Sequence, residues 1–231
     1  MKNRAVKRAF LETLPVMAGY IVLGMGFGII LKSKGYGVWW SLAMSMFIYA
    51  GSMQYLAVDL LSGGATLITT AITTLMVNAR HLFYAVSMVD KYRNTGKKKP
   101  YLIYALTDET YSLVCKDSIA KDENSHRLYF LISLFNQIYW VTGCVLGSLI
   151  GIFVKFNVEG IDFALTALFV TVFIDQWLTH EEHTSAITGG LSSLICLLIF
   201  GSKNFLIPSM ILITIVLTVI KVIIKKEKEN G

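Results

Sequence analysis

Charge is what this sequence has least of. Asp, Glu, Lys and Arg make up 16% of its 231 residues, against about a quarter in a soluble globular domain. The shortage is patterned. No charged residue falls between Gly35 and Val58, between Leu128 and Val154, between Thr184 and Ser202, or between Phe205 and Ile220. A membrane-spanning helix needs roughly 20 apolar residues to cross about 30 Å of hydrocarbon. A soluble core could hide one such run but not several, so an ordinary soluble domain is excluded.

Cysteine and proline are scarce too, with three of each. Cys115, Cys144 and Cys196 are widely spaced and form no CxxC pair, which excludes a disulfide framework and predicts small core residues. Pro15 and Pro208 fall inside apolar stretches and predict kinks. A nucleotide-binding loop is missing. Gly24-Met-Gly-Phe-Gly28 lies in apolar surroundings without the Lys-Ser/Thr that a phosphate loop needs, so ATP is not the expected energy source. In His180-Glu-Glu-His183 the histidines are three apart, whereas a zinc-protease helix needs a four-residue step. A solvated loop is expected there, and no metal or cofactor is implied.

What is present is apolar: 55% of residues are hydrophobic and the mean hydropathy is +0.60. Hydrophobic segments fall at about 10–31, 38–61, 65–89, 101–116, 127–154, 161–178, 184–201 and 204–224. They lack the alternation of barrel strands, and open strands cannot satisfy their backbone in lipid. The expected fold is therefore all-α, a polytopic transmembrane bundle of about seven or eight hydrophobic segments in a single domain, 1–231. Lys2, Arg4, Lys7 and Arg8 precede the first apolar stretch, but no small-x-small site ends it. It is read as a first transmembrane helix and not as a cleaved signal. The net charge of +6 gathers at this N-terminal edge, at Lys91 to Lys99 and at Lys225 to Lys228. These are segment edges facing headgroups, and without an aromatic-interleaved basic face nucleic acid is not an expected partner.

Two halves, 10–116 and 127–224, look alike. Gly24 to Gly28 is followed by Gln54, and Gly147-Ser-Leu-Ile-Gly151 by Gln176 at a similar distance. Such repeats are common in transporters, with the site at the repeat interface. Eight simple crossings would put the basic loop at 90–100 opposite the basic N-terminus, so a re-entrant or broken segment near Gly51 is expected instead.

Three groups of residues stand out chemically. Asn78-Ala-Arg80-His81 sits in an apolar context, where an arginine costs roughly 2.5–3.5 kcal/mol on insertion scales. It either snorkels to the interface or grips a carboxylate. Thr107-Asp108-Glu109 interrupts a short apolar segment. One carboxylate could pair with Arg80 while the other binds an ammonium group or relays a proton, unless the segment is an ordinary solvated helix. Ala50-Gly51-Ser52-Met53-Gln54 permits a helix break whose free N–H groups hold a carboxylate, with Gln54 adding a hydrogen bond, or else it packs helices closely. Asn136-Gln137 and Asp175-Gln176 are read as polar links between helices.

Taken in order, Pro15 with Gly24 to Gly28, Tyr49-Ala-Gly-Ser-Met-Gln54, Asn78-Ala-Arg-His81 with Leu82 and Tyr84, Thr107-Asp-Glu109, and Ile161-Asp-Phe-Ala-Leu165 make a set. The chain resembles, over about residues 10–200, the AzlC-type branched-chain amino acid permeases. The resemblance implies export of branched-chain amino acids across a bacterial inner membrane, with a small AzlD-type membrane subunit as partner. The candidate substrate-binding set is then Gly51, Ser52, Gln54, Asn78, Arg80, His81 and Tyr84, with Asp108 and Glu109 as candidates for proton coupling. Arg80 or the break at Gly51 would take the carboxylate, Asp108 or Glu109 the ammonium, and an apolar wall with Phe83 and Tyr84 the side chain. Rival readings are a passive channel, a transporter of another amino acid or organic acid, and an intramembrane hydrolase using Ser52 and His81.

Overall fold

A computed structural model describes residues 2–122, 125–153, 170, 173–174, 177–178, 183–205, 208–209 and 211–220. Among the described residues there are helices and turns and no strand, as the sequence predicts. The motif at 161–165, Asp175-Gln176 and His180 to Glu182 lie outside the described residues, as does the side chain of Phe83. The chain divides into two compact units, 1–168 and 169–231.

The first unit runs α1 (Lys2–Ser33), α2 (Val38–Phe47), α3 (Gly51–Ser62), α4 (Leu67–Asn78), α5 (Arg80–Met88), α6 (Lys99–Tyr104), α7 (Asp108–Val114), α8 (Asp117–Ala120) and α9 (Ser125–Phe153). By length and composition α1 and α9 can each cross a bilayer. They lie side by side and run in the same direction. Phe10 meets Phe135 edge-on, Tyr20 meets Trp140, and Gly151 lies against Lys32. Glycine makes this closeness possible. A Cβ on Gly28 would stand 2.2 Å from the Cys144 carbonyl oxygen, and one on Gly147 would stand 2.0 Å from that of Met25. Gly24 and Gly143 complete the seam. Small residues that let backbones touch are the usual packing device where lipid removes the hydrophobic drive.

The two broken segments are hairpins. Ser41 Oγ donates to the Cys144 carbonyl at 2.8 Å, and further down α9 the Tyr104 hydroxyl, within 3.4 Å of Gln137 Nε2, donates to the Met46 carbonyl. So α2 descends from the C-terminal end of α1. The helix stops at Ile48 to Ala50, where Tyr49 takes a left-handed φ of 41° and Ala50 is extended. The chain then climbs again. Gly51 lies under the Trp140 ring, the Tyr55 hydroxyl donates to the Leu23 carbonyl at 2.7 Å, and Val58 is buried in the cluster that holds Ile30 and Leu31. The α2–α3 hairpin therefore reaches only the middle of the bundle. The break expected near Gly51 is present, and it reverses the chain.

Helices α4 and α5 make one full passage, with helical dihedrals continuing through Ala79. Thr66 caps the start, and the end is fixed where Met88 is buried with Ala5 and Ala9. The α6–α7 hairpin enters from that opposite end. Lys98 sits over the Phe130 ring and the Tyr101 hydroxyl donates to Gln137 as α6 rises. Asn136 Nδ2 donates to Thr110 as α7 falls. Lys116 then faces Glu12, and Arg8 holds Asp122 and the Ser118 carbonyl. The short segment at 101–116 is thus two helices that never cross.

This routing settles which charges share an end of the unit. Lys7, Arg8, Lys91, Arg93, Lys97, Lys98 and Lys99 lie with the start of α1, while Lys32 and Lys34 lie at its other end. Under the positive-inside rule the expected location of the first group is the cytoplasm. In a background with the native cysteines replaced by alanine, Lys34→Cys and Ser62→Cys should both react with an impermeant maleimide on intact cells. Lys97→Cys should react only after permeabilisation. Opposite labelling of Lys34→Cys and Ser62→Cys would mean that α2–α3 crosses the membrane.

In the second unit, α10 (Thr184–Asn204) is long and apolar enough to cross a bilayer up to Ser202. Gly201, at φ 72°, kinks its end. Leu191, Leu194 and Leu198 are exposed, and a shorter apolar helix follows at Ile211–Ile220.

Candidate functional site

The tips of the two hairpins meet at mid-height of α1 and α9. Their contact is direct: the Tyr49 and Tyr104 rings lie 6.0 Å apart, and Tyr104 bonds the last turn of α2. Two helices begin here, α3 and α7, and their starts differ. Thr107 caps α7, accepting from Thr110 N at 3.3 Å, and Asp108 and Glu109 occupy its first turn. That start is already neutralised by its own residues. The start of α3 has alanine at the cap position, no side-chain cap and no acidic residue in its first turn. Its first N–H groups have no partner within the helix.

Donors surround the α3 start. Arg80 begins α5, and its Nη2 donates to Ser52 Oγ at 2.5 Å while Nη1 pairs with Asp108 Oδ2 at 2.8 Å. One guanidinium thereby ties both hairpin tips to the α4–α5 passage. Because Ser52 Oγ accepts from Arg80, its own proton is available to donate. Gln54, fully buried one turn into α3, accepts from Trp140 Nε1 at 2.8 Å through Oε1, and its Nε2 has no partner. Backbone N–H groups, the Ser52 hydroxyl and the Arg80 guanidinium make a group of donors suited to an anion, and the Gln54 amide lies two residues further along α3.

The acids separate into two environments. Asp108 is the counter-ion of Arg80, and the Tyr84 hydroxyl lies close to it. Glu109 takes part in none of the described ion pairs. Its Oε2 accepts from the Tyr20 hydroxyl at 2.7 Å, and the same hydroxyl lies 2.7 Å from Thr107 Oγ1. Asn136 extends this chain through Thr110. Sequence reasoning left both acids open as partners of Arg80, and the geometry selects Asp108.

The remaining expected residues fall around this centre. The Asn78 carbonyl contacts His81 Nδ1 at 3.2 Å, and the His81 ring meets Tyr84 edge-on. Tyr84 stacks on Tyr111 at 4.7 Å. Among the described residues no hydrogen bond joins Ser52 to His81, and Ser52 Oγ is held by Arg80. Asn136 and Gln137 link helices as expected, bonding Thr110 and Tyr101. Tyr20 and Trp140 escaped the sequence reading, and Tyr49 entered it only within the motif that carries the resemblance. Their one signal is position, since each lies deep in an apolar segment and away from the interfacial belts that such residues favour.

Comparison with known proteins gives the family. A family model described as AzlC protein matches residues 15–154. The branched-chain amino acid transport protein AzlC of Bacillus subtilis is 43% identical over 94% of this chain and 85% of its own length. A membrane protein of Helicobacter pylori is 40% identical over 93% of this chain and 94% of its own. The inner membrane protein YgaZ of Escherichia coli is 25% identical, over 89% and 84%. No solved structure matches. With hairpin tips, arginine and acids all inside the matched region, and with relatives aligned over most of their length, the chain belongs to the AzlC family of membrane proteins.

Proposed function

We propose that this protein is a secondary transporter that exports leucine, isoleucine and valine, working with a small AzlD-type membrane subunit and driven by protons. The observation that carries this reading is a group of hydrogen-bond donors at the start of α3 and, at the start of α7 on the other hairpin, an acid that takes part in no described ion pair. The α3 start, Ser52, Gln54 and Arg80 receive the substrate carboxylate. Glu109 receives its ammonium group or, in the alternate step, a proton. Asp108 balances the charge of Arg80 and holds it in place. The relative from Bacillus subtilis, named for branched-chain amino acid transport, supports the choice of substrate.

The two hairpins give the reading its mechanics. Each opens toward one face of the membrane and is joined to the other by few polar contacts, so a tip can withdraw while α1 and α9 stay fixed. Export against a gradient requires a second flux. A carboxylate with only neutral hydrogen-bond partners can exchange a proton without breaking an ion pair.

Efflux from dipeptide-loaded cells tests this, with the chain and its small membrane subunit co-expressed. Leucine, isoleucine and valine should leave faster than from empty cells, and an inward proton gradient should accelerate them. Glu109→Gln should remove the acceleration. Unchanged efflux with both proteins present in the membrane would overturn the substrate assignment. A proton response retained by Glu109→Gln would overturn the coupling.

A further inference from the structure

Trp140 sits in the middle of α9, far from either end of the helix, and is buried at 3% exposure. Its indole lies over the start of α3: the atoms Cη2 and Cζ2 would stand 3.1 Å and 3.4 Å from a Cβ on Gly51. The indole Nε1 adjoins that same edge of the ring and donates to Gln54 Oε1 at 2.8 Å.

An indole nitrogen can only donate. The Gln54 atom facing it must therefore be the oxygen, which commits Nε2 to the other side of the amide. Helical side chains lean toward the helix N-terminus, so the Gln54 amide lies along the first turn of α3. Nε2 is buried there without a partner, although Gln54 has no exposure to water. A buried amide left half-satisfied costs free energy. The uncapped backbone N–H groups of Gly51, Ser52 and Met53 belong to this same first turn.

We propose that Trp140 is a positioning residue: it fixes the orientation of the Gln54 amide so that Nε2 becomes a donor to the carboxylate of the transported amino acid. The inference rests on the transport reading above and adds to it the group that sets carboxylate recognition. Without the indole proton the Gln54 amide can rotate. It would then present an oxygen to an anion in half of its orientations.

The test is transport in proteoliposomes containing the chain and its small subunit, with leucine as substrate and leucinol, which lacks the carboxylate, as competitor. Trp140→Phe keeps a ring over Gly51 and removes the donor. It should raise the KM for leucine roughly tenfold, as expected for one hydrogen bond to a charged group, with a much smaller change in maximal rate. The inhibition constant of leucinol should not move. Gln54→Ala should raise the KM similarly, and the double variant should be no worse than Gln54→Ala alone. Equal weakening of leucine and leucinol, or additive losses in the double variant, would reduce Trp140 to packing and sink the proposal while leaving the transporter reading intact. Absence of leucine transport by the unaltered chain would remove both.

Discussion

Gly147→Ala should destabilise the protein strongly, although the same exchange at Gly189 should be harmless. Helix propensity alone favours alanine over glycine by about 1 kcal/mol. At Gly147 the added methyl would stand 2.0 Å from the Met25 carbonyl oxygen and 2.5 Å from Met25 Cα. Both are backbone atoms of α1, so no side-chain rotation can relieve the clash. The helices must separate, and the contacts from Phe10 to Lys32 along the seam loosen together. Overpacking of a fixed core typically costs about 1–3 kcal/mol and occasionally more, and a backbone-to-backbone clash belongs at the upper end. Gly189, inside α10, has nothing within 4 Å of its Cβ position. Gly189→Ala should therefore melt at or slightly above the temperature of the unaltered protein. Thermal unfolding followed by the monodisperse peak in size-exclusion chromatography separates the two. Equal stability of Gly147→Ala and the unaltered chain would show that α1 and α9 do not touch through their backbones.

Those glycines show what was legible in the sequence and what was not. Gly24 to Gly28 and Gly147 to Gly151 stood out as matching marks in two halves of the chain. That they lie against each other could not be read, because contact between distant segments leaves no local pattern. The helical class was plain from uncharged runs that no soluble fold could bury. The break near Gly51 was legible because a Gly-Ser step and a glutamine interrupt an apolar segment, and a basic loop at 90–100 opposite a basic N-terminus favoured a reversal. The second hairpin was less visible. Ala105 and Leu106 carry no turn signal, and only the capping pattern of Thr107 ahead of two acids marks a helix start.

At the site, polarity against an apolar background singled out Arg80, Asp108, Glu109 and Gln54, and the structure pairs Arg80 with Asp108, Glu109 with Tyr20 and Gln54 with Trp140. Their pairing was beyond reach. Adjacent residues on a helix point about 100° apart, so one of the two acids must face away from Arg80. Which one depends on how α7 is rotated, and that is set by Thr110 and Asn136 on one side and Tyr20 on the other. Tyr20 and Trp140 were hidden for a different reason. An aromatic residue in an apolar run looks the same whether it fills a core or aims a polar tip at a neighbour.

The division of labour between the acids leads to the second large effect. Arg80 and Asp108 are each only partly exposed, at 27% and 21% of their side-chain surface. Removing one member of such a pair leaves a charge without compensation, at a cost of about 3–5 kcal/mol for a buried pair. Arg80→Gln and Asp108→Asn should therefore each lower the yield of folded protein severely. The double variant Arg80→Gln/Asp108→Asn leaves no charge behind, and two neutral side chains of nearly the same shape can still hydrogen-bond. It should be more stable than either single variant, which in the double-mutant cycle is a coupling of about 3 kcal/mol or more. Transport should not recover with it. The carboxylate of the substrate would meet Ser52, Gln54 and the α3 start without the guanidinium, and efflux should stay at the background of empty cells. Recovery of fold and efflux together would mean that Arg80 serves the hairpin tips alone. Failure of the double variant to regain stability would mean that Arg80 and Asp108 are held by other neighbours and not by each other.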